Sequence, residues 1–531
     1  NLQSNYIVRT GLAMLGLSLI SGVATVIVGL LAAQTAAGAA RNIRRALFKK
    51  VETFSNSEFD QFSTSSLVTR TTNDITQLQM VVIMIIRIVC FAPILGVGGI
   101  IKATNTDASM WWIIALAVGA LIALIFTLFM VSLPKFKIIQ SLVDRLNLVT
   151  RENLSGMMVV RAFNTQGFEE QRFDKANQDL TQTNLFVNRV FVAMMPMMML
   201  IMNGLSLLII WVGAHQIAEA NLRVGDMIAF MQYSMQVVMA FLMMSMMFII
   251  LPRASVSGER IADVLDVEPV IQDPKQPKRF ATPVKGTVEF RNVSFRYPGA
   301  EEDALHNLSF TARPGETTAF IGSTGSGKST LVNLIPRFYD VTDGAVLIDG
   351  IDIREVTQHD LRDQVGYIPQ KASLFSGTIE SNLRYADEDA SDELLREATD
   401  IAQATNFISE KPDGLDTEIS QGGTNVSGGQ RQRLSIARAL VKQAPIYVFD
   451  DSFSALDFKT DAALRKSLKE KTGDSTVLIV TQRVSTIKNA EQIIVLDEGR
   501  IVGKGTHQEL MEDSEVYREI ALSQLGIEEL A

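Results

Sequence analysis

Cysteine is almost absent: Cys90 is the only one in 531 residues. That excludes a disulfide scaffold and any cysteine-ligated zinc or iron–sulfur centre. Histidine is nearly as scarce, and His215, His306, His359 and His507 show no metal-ligand spacing. They read as structural or exposed. There is no basic excess either: 49 Lys and Arg stand against 58 Asp and Glu, a net charge of −9. A nucleic-acid binder would show the opposite balance. What the chain has in quantity is apolar surface. Hydrophobic residues make up 47 % and charged residues 20 %, with a mean hydropathy of +0.18. A disordered chain lacks that content. The length allows two to four domains at roughly 100–200 residues each.

The average hides a split, with the first half apolar and the second half of ordinary soluble composition. A bilayer core takes about 20 mostly apolar residues per helix. Runs of that kind cover Ile7–Ala33, Met80–Ile101, Met110–Leu133, Val190–Gly213 and Met227–Leu251. The long segment Gln34–Gln79 between them carries Arg41, Arg44, Arg45, Lys49, Lys50 and Arg70, and Pro134–Arg189 is similarly basic. The short links Lys102–Ser109 and Ala214–Asp226 carry one cation each, Lys102 and Arg223. Positive charge marks the cytoplasmic side. The two long segments and everything after Leu251 are therefore expected in the cytoplasm, with Asn1–Tyr6 outside. An external start without an initiator methionine leads to the expectation of one further span before Asn1, six in all.

Structureless connections as long as the two basic segments are uncommon. Leu142, Leu146, Val149 and Asn153 fall at helical spacing. The segments therefore predict helices that run out of the membrane and turn back near Ser57–Phe62 and Ala162–Gly167. Met227, Met231, Met235, Met239 and Met243 recur every fourth residue. Such a stripe serves helix packing or lipid contact first, and lining for varied apolar cargo second. Arg87 interrupts the second apolar run. It is either a functional charge or a residue beyond the bilayer. Cys90 reads as a small apolar packer.

From Asp266 to Pro283 the texture changes, with Pro269, Pro274, Pro277 and Pro283 marking a linker. Strand-like runs follow at Thr287–Phe295, Thr318–Ile321, Ala345–Ile348, Ile446–Phe449 and Thr476–Val480. With helical stretches between the later ones, they predict an α/β domain on a parallel sheet. The division expected is 1–265 membrane domain with cytoplasmic helix extensions, 266–283 linker and 284–531 nucleotide-binding domain.

The segment Gly322, Ser323, Thr324, Gly325, Ser326, Gly327, Lys328, Ser329 fits the phosphate-loop pattern G-x-x-x-x-G-K-S without mismatch, and Thr330 follows it. Glycines let backbone N–H groups wrap a phosphate chain, and the helix N-terminus favours anions. Lys328 should reach the β- and γ-phosphates, and Ser329 should ligate Mg²⁺. The apolar run Ile446–Asp450 ends in a carboxylate, a Walker-B pattern in which Asp450 should hold Mg²⁺ through its water shell.

Val426 is followed by Ser427, Gly428, Gly429 and Gln430. With the two preceding motifs, this half resembles the nucleotide-binding domain of ABC transporters, and the whole chain resembles a half-transporter of the ABC exporter type. The fold class implied is a membrane α-helical bundle followed by an α/β P-loop ATPase domain. The resemblance further implies that Tyr297 stacks on adenine and that Gln370 is the Q-loop glutamine sensing Mg²⁺ and the attacking water. Ser454–Asp457 resembles the D-loop, and the turns near Phe59 and Phe163 resemble the two coupling helices. In this family two such domains close head to tail on ATP and Mg²⁺, each ATP lying between one phosphate loop and the other domain's signature.

Two positions depart from the family. Asp451 stands where a general-base Glu is usual, and Gln482 where a His contacts the γ-phosphate. Asp is one methylene shorter, and Gln cannot become a cation. Gly422 after Gln421 also departs. The signature Ser427–Gln430 is intact. The pattern resembles the degenerate-site half of heterodimeric bacterial multidrug exporters, whose partner half would supply the competent catalytic residues. The expected cargo is a small amphipathic or apolar molecule. Alternatives are a peptide, lipid or siderophore cargo, or a nucleotide-gated regulator or channel subunit. The spans exclude a soluble ABC ATPase. The acidic tail Glu519–Leu530 reads as a solvated helix end.

Overall fold

The computed structural model describes residues 2–106 and 108–524, so Asn1 and the part of the acidic tail beyond Gln524 lie outside the described residues. Contacts divide the chain into two units, Asn1–Glu52 with Ser65–Val267, and Thr53–Thr64 with Glu268–Ala531.

The first unit is helical. Among the described residues, five helices are long and apolar enough to cross a membrane: Ser4–Glu52, Thr64–Thr106, Trp111–Ser155, Gln166–Ala218 and Val224–Met244. Each overlaps one of the apolar runs. The first helix, Leu2–Glu52, has 51 residues. At 1.5 Å per residue it is roughly 75 Å long, against about 30 Å of hydrocarbon. The excess is the cytoplasmic extension. Trp111–Ser155 stays helical through Pro134. A short helix Met157–Ala162 and a turn lead into Gln166–Val192. Arg172 to Glu152 at 2.5 Å and Arg145 to Asp179 at 3.6 Å lace the outgoing and returning helices.

Helix contacts within this unit rely on small residues, which let backbones approach. A Cβ on Gly99 would lie 2.9 Å from Val237 Cγ2, and one on Gly96 would lie 3.2 Å from Ala240 Cβ. A core of Met110, Ile113, Leu121, Ile209 and Phe230 continues the packing. The methionine stripe divides. Met227 and Met231 pack against that core, while Met239 is exposed. Helix Thr64–Thr106 contains two π-helical stretches, Arg70–Asp74 and Ile85–Val89. Arg87 lies in the second and is exposed. Cys90, the residue after that stretch, is exposed as well.

The second unit holds two sheets. The six-stranded one has the order β12-β11-β3-β10-β9-β6, made of β3 (Thr317–Gly322), β6 (Val365–Ile368), β9 (Ile446–Asp450), β10 (Thr476–Val480), β11 (Gln492–Asp497) and β12 (Arg500–Gly505). All neighbours pair in parallel except β11 with β12. Every residue of β9 and β10 is buried, as expected for a sheet covered on both faces.

The second sheet is antiparallel, in the order β2-β1-β4-β5, from β1 (Val288–Phe295), β2 (Leu305–Ala312), β4 (Asp343–Ile348) and β5 (Ile351–Asp352). The parallel sheet expected from the sequence is the six-stranded one, and the runs at Thr287–Phe295 and Ala345–Ile348 lie in this second sheet beside it. In β1 the side chains of Arg291 and Asn292 reach solvent while Val288, Phe290 and Val293 are buried. That one-sided burial suits an antiparallel sheet. The strands β7 (Gly377–Thr378) and β8 (Glu418–Ile419) form a small separate pair.

The helix Asn56–Gln61 belongs to this second unit. Glu58 is buried. Its Oε2 accepts from Ser55 N at 2.6 Å and Ser55 Oγ at 2.5 Å, and its Oε1 accepts from Val270 N at 3.0 Å. Burial pushes the Glu58 carboxyl up, but these hydrogen bonds outweigh it and hold the group below the ordinary range. Tyr339 Oη donates to Asp60 Oδ2 at 3.2 Å. Burial first, and then Asp60, push the Tyr339 phenol up to about 12.

Candidate ATP site

The phosphate loop leaves the C-terminal end of β3 and enters the helix Lys328–Asn333. Gly325 and Gly327 have φ of 88° and 95°, which other residues rarely adopt. A Cβ on Gly327 would lie 2.6 Å from Leu305 Cδ2. Gly322 begins the turn and Ser326 is buried beneath it, while Ser323, Thr324 and Gly325 are exposed. Lys328 is buried and folds back along the loop. Its Nζ donates to Ser323 O at 2.6 Å, to Gly322 O at 2.9 Å and to Ser326 Oγ at 3.3 Å. Burial lowers its pKa, and the neighbouring Asp451 and Asp450 oppose that shift.

β9 delivers Asp450 beside the start of this helix. Ser329 Oγ donates to Asp450 Oδ1 at 2.8 Å. Burial raises the Asp450 pKa, the Ser329 bond opposes this, and the neighbouring Asp451 adds to it. Tyr367 packs below, with Oη donating to Asn333 Oδ1 at 2.7 Å, and burial pushes its phenol up. Asp451 has φ of 45°, a left-handed conformation that Asp tolerates better than most residues. Its N–H donates to Val480 O at 2.9 Å, tying it to the end of β10 and so to Gln482 two residues on. Gln370 Nε2 donates to Asp451 Oδ2 at 3.3 Å. Burial raises the Asp451 pKa against this bond and the charge of Lys328.

These residues border one open cavity of about 730 Å³, together with Tyr297, Thr330 and the face of the phosphate loop. Tyr297 Oη and Thr330 Oγ1 lie 2.9 Å apart. The ring of Tyr297 meets Phe295 and Tyr339 edge-on, with centroids 4.8 and 5.4 Å away. The structure thus gathers Tyr297, the phosphate loop, Gln370, Asp451 and Gln482 around one space, with Asp450 directly behind it. It does not bring Ser427–Gln430 there. That segment starts the helix Gly428–Val441, where Ser427 Oγ accepts from Gln430 N at 3.2 Å and Gln430 Oε1 accepts from Ser427 N at 3.0 Å. Ser427 and Gly428 are exposed, and Gly429 and Gln430 half-buried.

Several bordering residues carried no sequence signal, namely His306, Glu498 and Arg500. Glu498 and Arg500 come from the β11–β12 turn, marked by Gly499, whose φ is 72° and whose carbonyl accepts from His306 N of β2 at 2.8 Å. Glycine between two strand-like runs was the cue available.

The donor set also answers for a cation. Among the described residues no group of three His, Cys, Asp or Glu is placed to hold a metal. Ser329 and Asp450 instead offer two hard oxygens, one a buried carboxylate whose charge burial disfavours. That is how Mg²⁺ is held when phosphate and water oxygens complete its shell.

Residues 2–241 match the family described as the ABC transporter transmembrane region, and residues 305–454 match the family described as ABC transporter. An uncharacterized ABC transporter ATP-binding protein of Mycobacterium tuberculosis is 44 % identical over 521 residues, 98 % of this chain and 89 % of that protein. The ATP-dependent lipid A-core flippase of Pseudomonas fluorescens is 32 % identical over 490 residues, 91 % of this chain and 80 % of that protein. Among solved structures, a bacterial Atm1-family ABC exporter with ATP bound superposes with a TM-score of 0.78 at 26 % identity, covering 93 % of this chain and 86 % of that chain.

Proposed function

The chain belongs to the ABC transporter family, and from that premise we propose that it is one half of a heterodimeric exporter whose own ATP site hydrolyses slowly. As a multi-pass membrane exporter it carries its nucleotide-binding domain in the cytoplasm, binds ATP and couples ATP hydrolysis to transport. The finer reading rests on one observation. The two departing residues that belong to the hydrolysis reaction, Asp451 and Gln482, border the phosphate cavity, whereas the intact Ser427–Gln430 lies apart from it on an exposed helix start.

In this reading Lys328 and the phosphate-loop backbone hold the phosphates, and Tyr297 stacks on adenine. Ser329 and Asp450 would hold Mg²⁺, with Gln370 on the same cavity, and the ion would supply charge neutralisation at the phosphates. Asp451 orients the attacking water from too short a side chain. A misplacement of about 1 Å can cost on the order of 10²-fold in rate. Gln482 offers the γ-phosphate a neutral hydrogen bond where a histidine could offer a cation. Ser427 to Gln430 complete the site built on the partner's phosphate loop.

The cargo in this reading is a small amphipathic or apolar molecule. The support is a methionine-rich membrane half poor in charge. A lipid is the second reading, favoured by the lipid A-core flippases among its relatives.

The test is ATP turnover by the complex purified from its own membrane. Ser427→Ala should abolish most turnover, because it damages the partner's competent site, and Asp451→Asn should remove little. If Asp451→Asn abolishes turnover as fully as replacing the partner's catalytic Glu, the asymmetric reading is wrong.

A further inference from the structure

The loop after β10 has to present Gln482 to the cavity, and its backbone is fastened from behind. Gln524, at the end of helix Glu515–Gln524, donates from Nε2 to the Gln482 carbonyl at 2.7 Å. Its Oε1 accepts the Val484 N–H at 3.0 Å. One side-chain amide therefore satisfies an acceptor and a donor two residues apart.

Both ends of this strap are anchored. Tyr517 and Ala521 of the same helix are fully buried, and Tyr517 Oη lies 2.7 Å from His507 Nδ1. On the other side, Arg483 donates to Ser454 O at 2.9 Å and Leu456 O at 3.3 Å, in the segment that follows Asp451. Residues 482–484 are thus held between that segment and the last described helix.

We propose that Gln524 is a positioning residue, which fixes the Gln482 loop at the height where Gln482 meets the terminal phosphate. This rests on the reading that Gln482 faces the γ-phosphate. The chemistry requires an amide. Glu at 524 could still accept from Val484 N–H, but it would set an anion against the Gln482 carbonyl. Met has the length and can do neither. Gln524 is exposed, so replacing it removes no core contact.

The experiment uses the full chain in lipid nanodiscs, in the complex it forms, with ATP and ADP affinities and amide exchange at Val484 read together. Gln524→Met should speed Val484 exchange about fivefold, the worth of one net hydrogen bond. It should weaken ATP binding about three- to tenfold while ADP affinity stays within about twofold, the preference expected when only a terminal-phosphate contact is loosened. Gln524→Glu should fall between Met and the native residue. Unchanged Val484 exchange in Gln524→Met, or equal losses of ATP and ADP affinity, would overturn the positioning role. Gln482→Ala tests the premise separately. If it leaves the preference for ATP over ADP intact, the γ-phosphate reading of Gln482 fails, and Gln524 loses its catalytic consequence even where the exchange result stands.

Discussion

Replacing Tyr297 separates two contributions that one ring makes. Its ring borders the open cavity and packs in T-shaped pairs with Phe295 and Tyr339, and its hydroxyl pairs with Thr330. Stacking of a base on an aromatic ring is worth about 1–3 kcal/mol by alanine substitution. At 1.4 kcal/mol per tenfold, Tyr297→Ala should weaken ATP binding about 5- to 150-fold. It should also lower folding stability by roughly 1–3 kcal/mol, since two edge-on ring pairs are lost at about 0.5–1.5 kcal/mol each. Tyr297→Phe keeps the ring and both packing contacts. It gives up only the hydroxyl pair, so ATP affinity should change by less than about threefold, because the half-buried Thr330 hydroxyl borders the open cavity and can bond to water instead. The assay is equilibrium binding of ATP to the full chain in nanodiscs without Mg²⁺, with thermal melts run alongside to report the packing loss. Equal weakening by Phe and Ala would refute the reasoning, since the hydroxyl and not the ring would then be the binding element. Native affinity in Tyr297→Ala would place adenine elsewhere.

Lys328→Met should weaken ATP binding about 10- to 150-fold with little effect on folding, because it removes charge-assisted hydrogen bonds to phosphate; calorimetric titration would check it. Asp451→Glu should raise the turnover of this chain's own site, on the order of tenfold, by restoring reach towards the attacking water. Phosphate release, measured with the partner's site disabled, reads that change, and unchanged turnover with ATP still bound would show that side-chain length is not limiting. The Glu58 carboxyl has a folded pKa below the ordinary value of about 4.3. The stability it contributes is therefore complete above that value and is lost as pH falls through the depressed one. Acid should accordingly loosen residues 53–64 below about pH 4, and Glu58→Gln should flatten that acid limb; limited proteolysis across the pH range would follow both.

Much of this architecture was legible because the chain states it locally. Twenty-odd apolar residues leave few options besides a span. The glycines of the phosphate loop announce a backbone that only glycine adopts freely. The turn near Ser57–Phe62 was marked by polar residues between two helical patterns, and the helix Asn56–Gln61 lies there. What local signals lack is partner identity. Short apolar runs look alike in parallel and antiparallel sheets, so the sequence alone does not reveal that β1 and β4 pair in a sheet of their own. Cys90 is small enough for either environment, and only the packing of neighbouring helices decides. Gln524 had no signal at all, because it recognises backbone groups, and any sequence offers those.

The segment 53–64 has a temporal consequence. Glu58 bonds to Val270, 212 positions later, and Asp60 to Tyr339, 279 positions later. At about 5–20 residues per second, the wait between synthesis of Glu58 and of its first partner is roughly 10–40 s. Throughout that interval the first two membrane helices are joined by a stretch whose carboxylate lacks the Val270 amide and whose Asp60 lacks the Tyr339 hydroxyl. Insertion into the bilayer therefore precedes completion of the ATPase fold, which finishes around a peptide already tethered at both ends to the membrane. A chain interrupted before residue 270 would leave the Glu58 carboxylate without that amide, its short helix held only by the local bonds to Ser55.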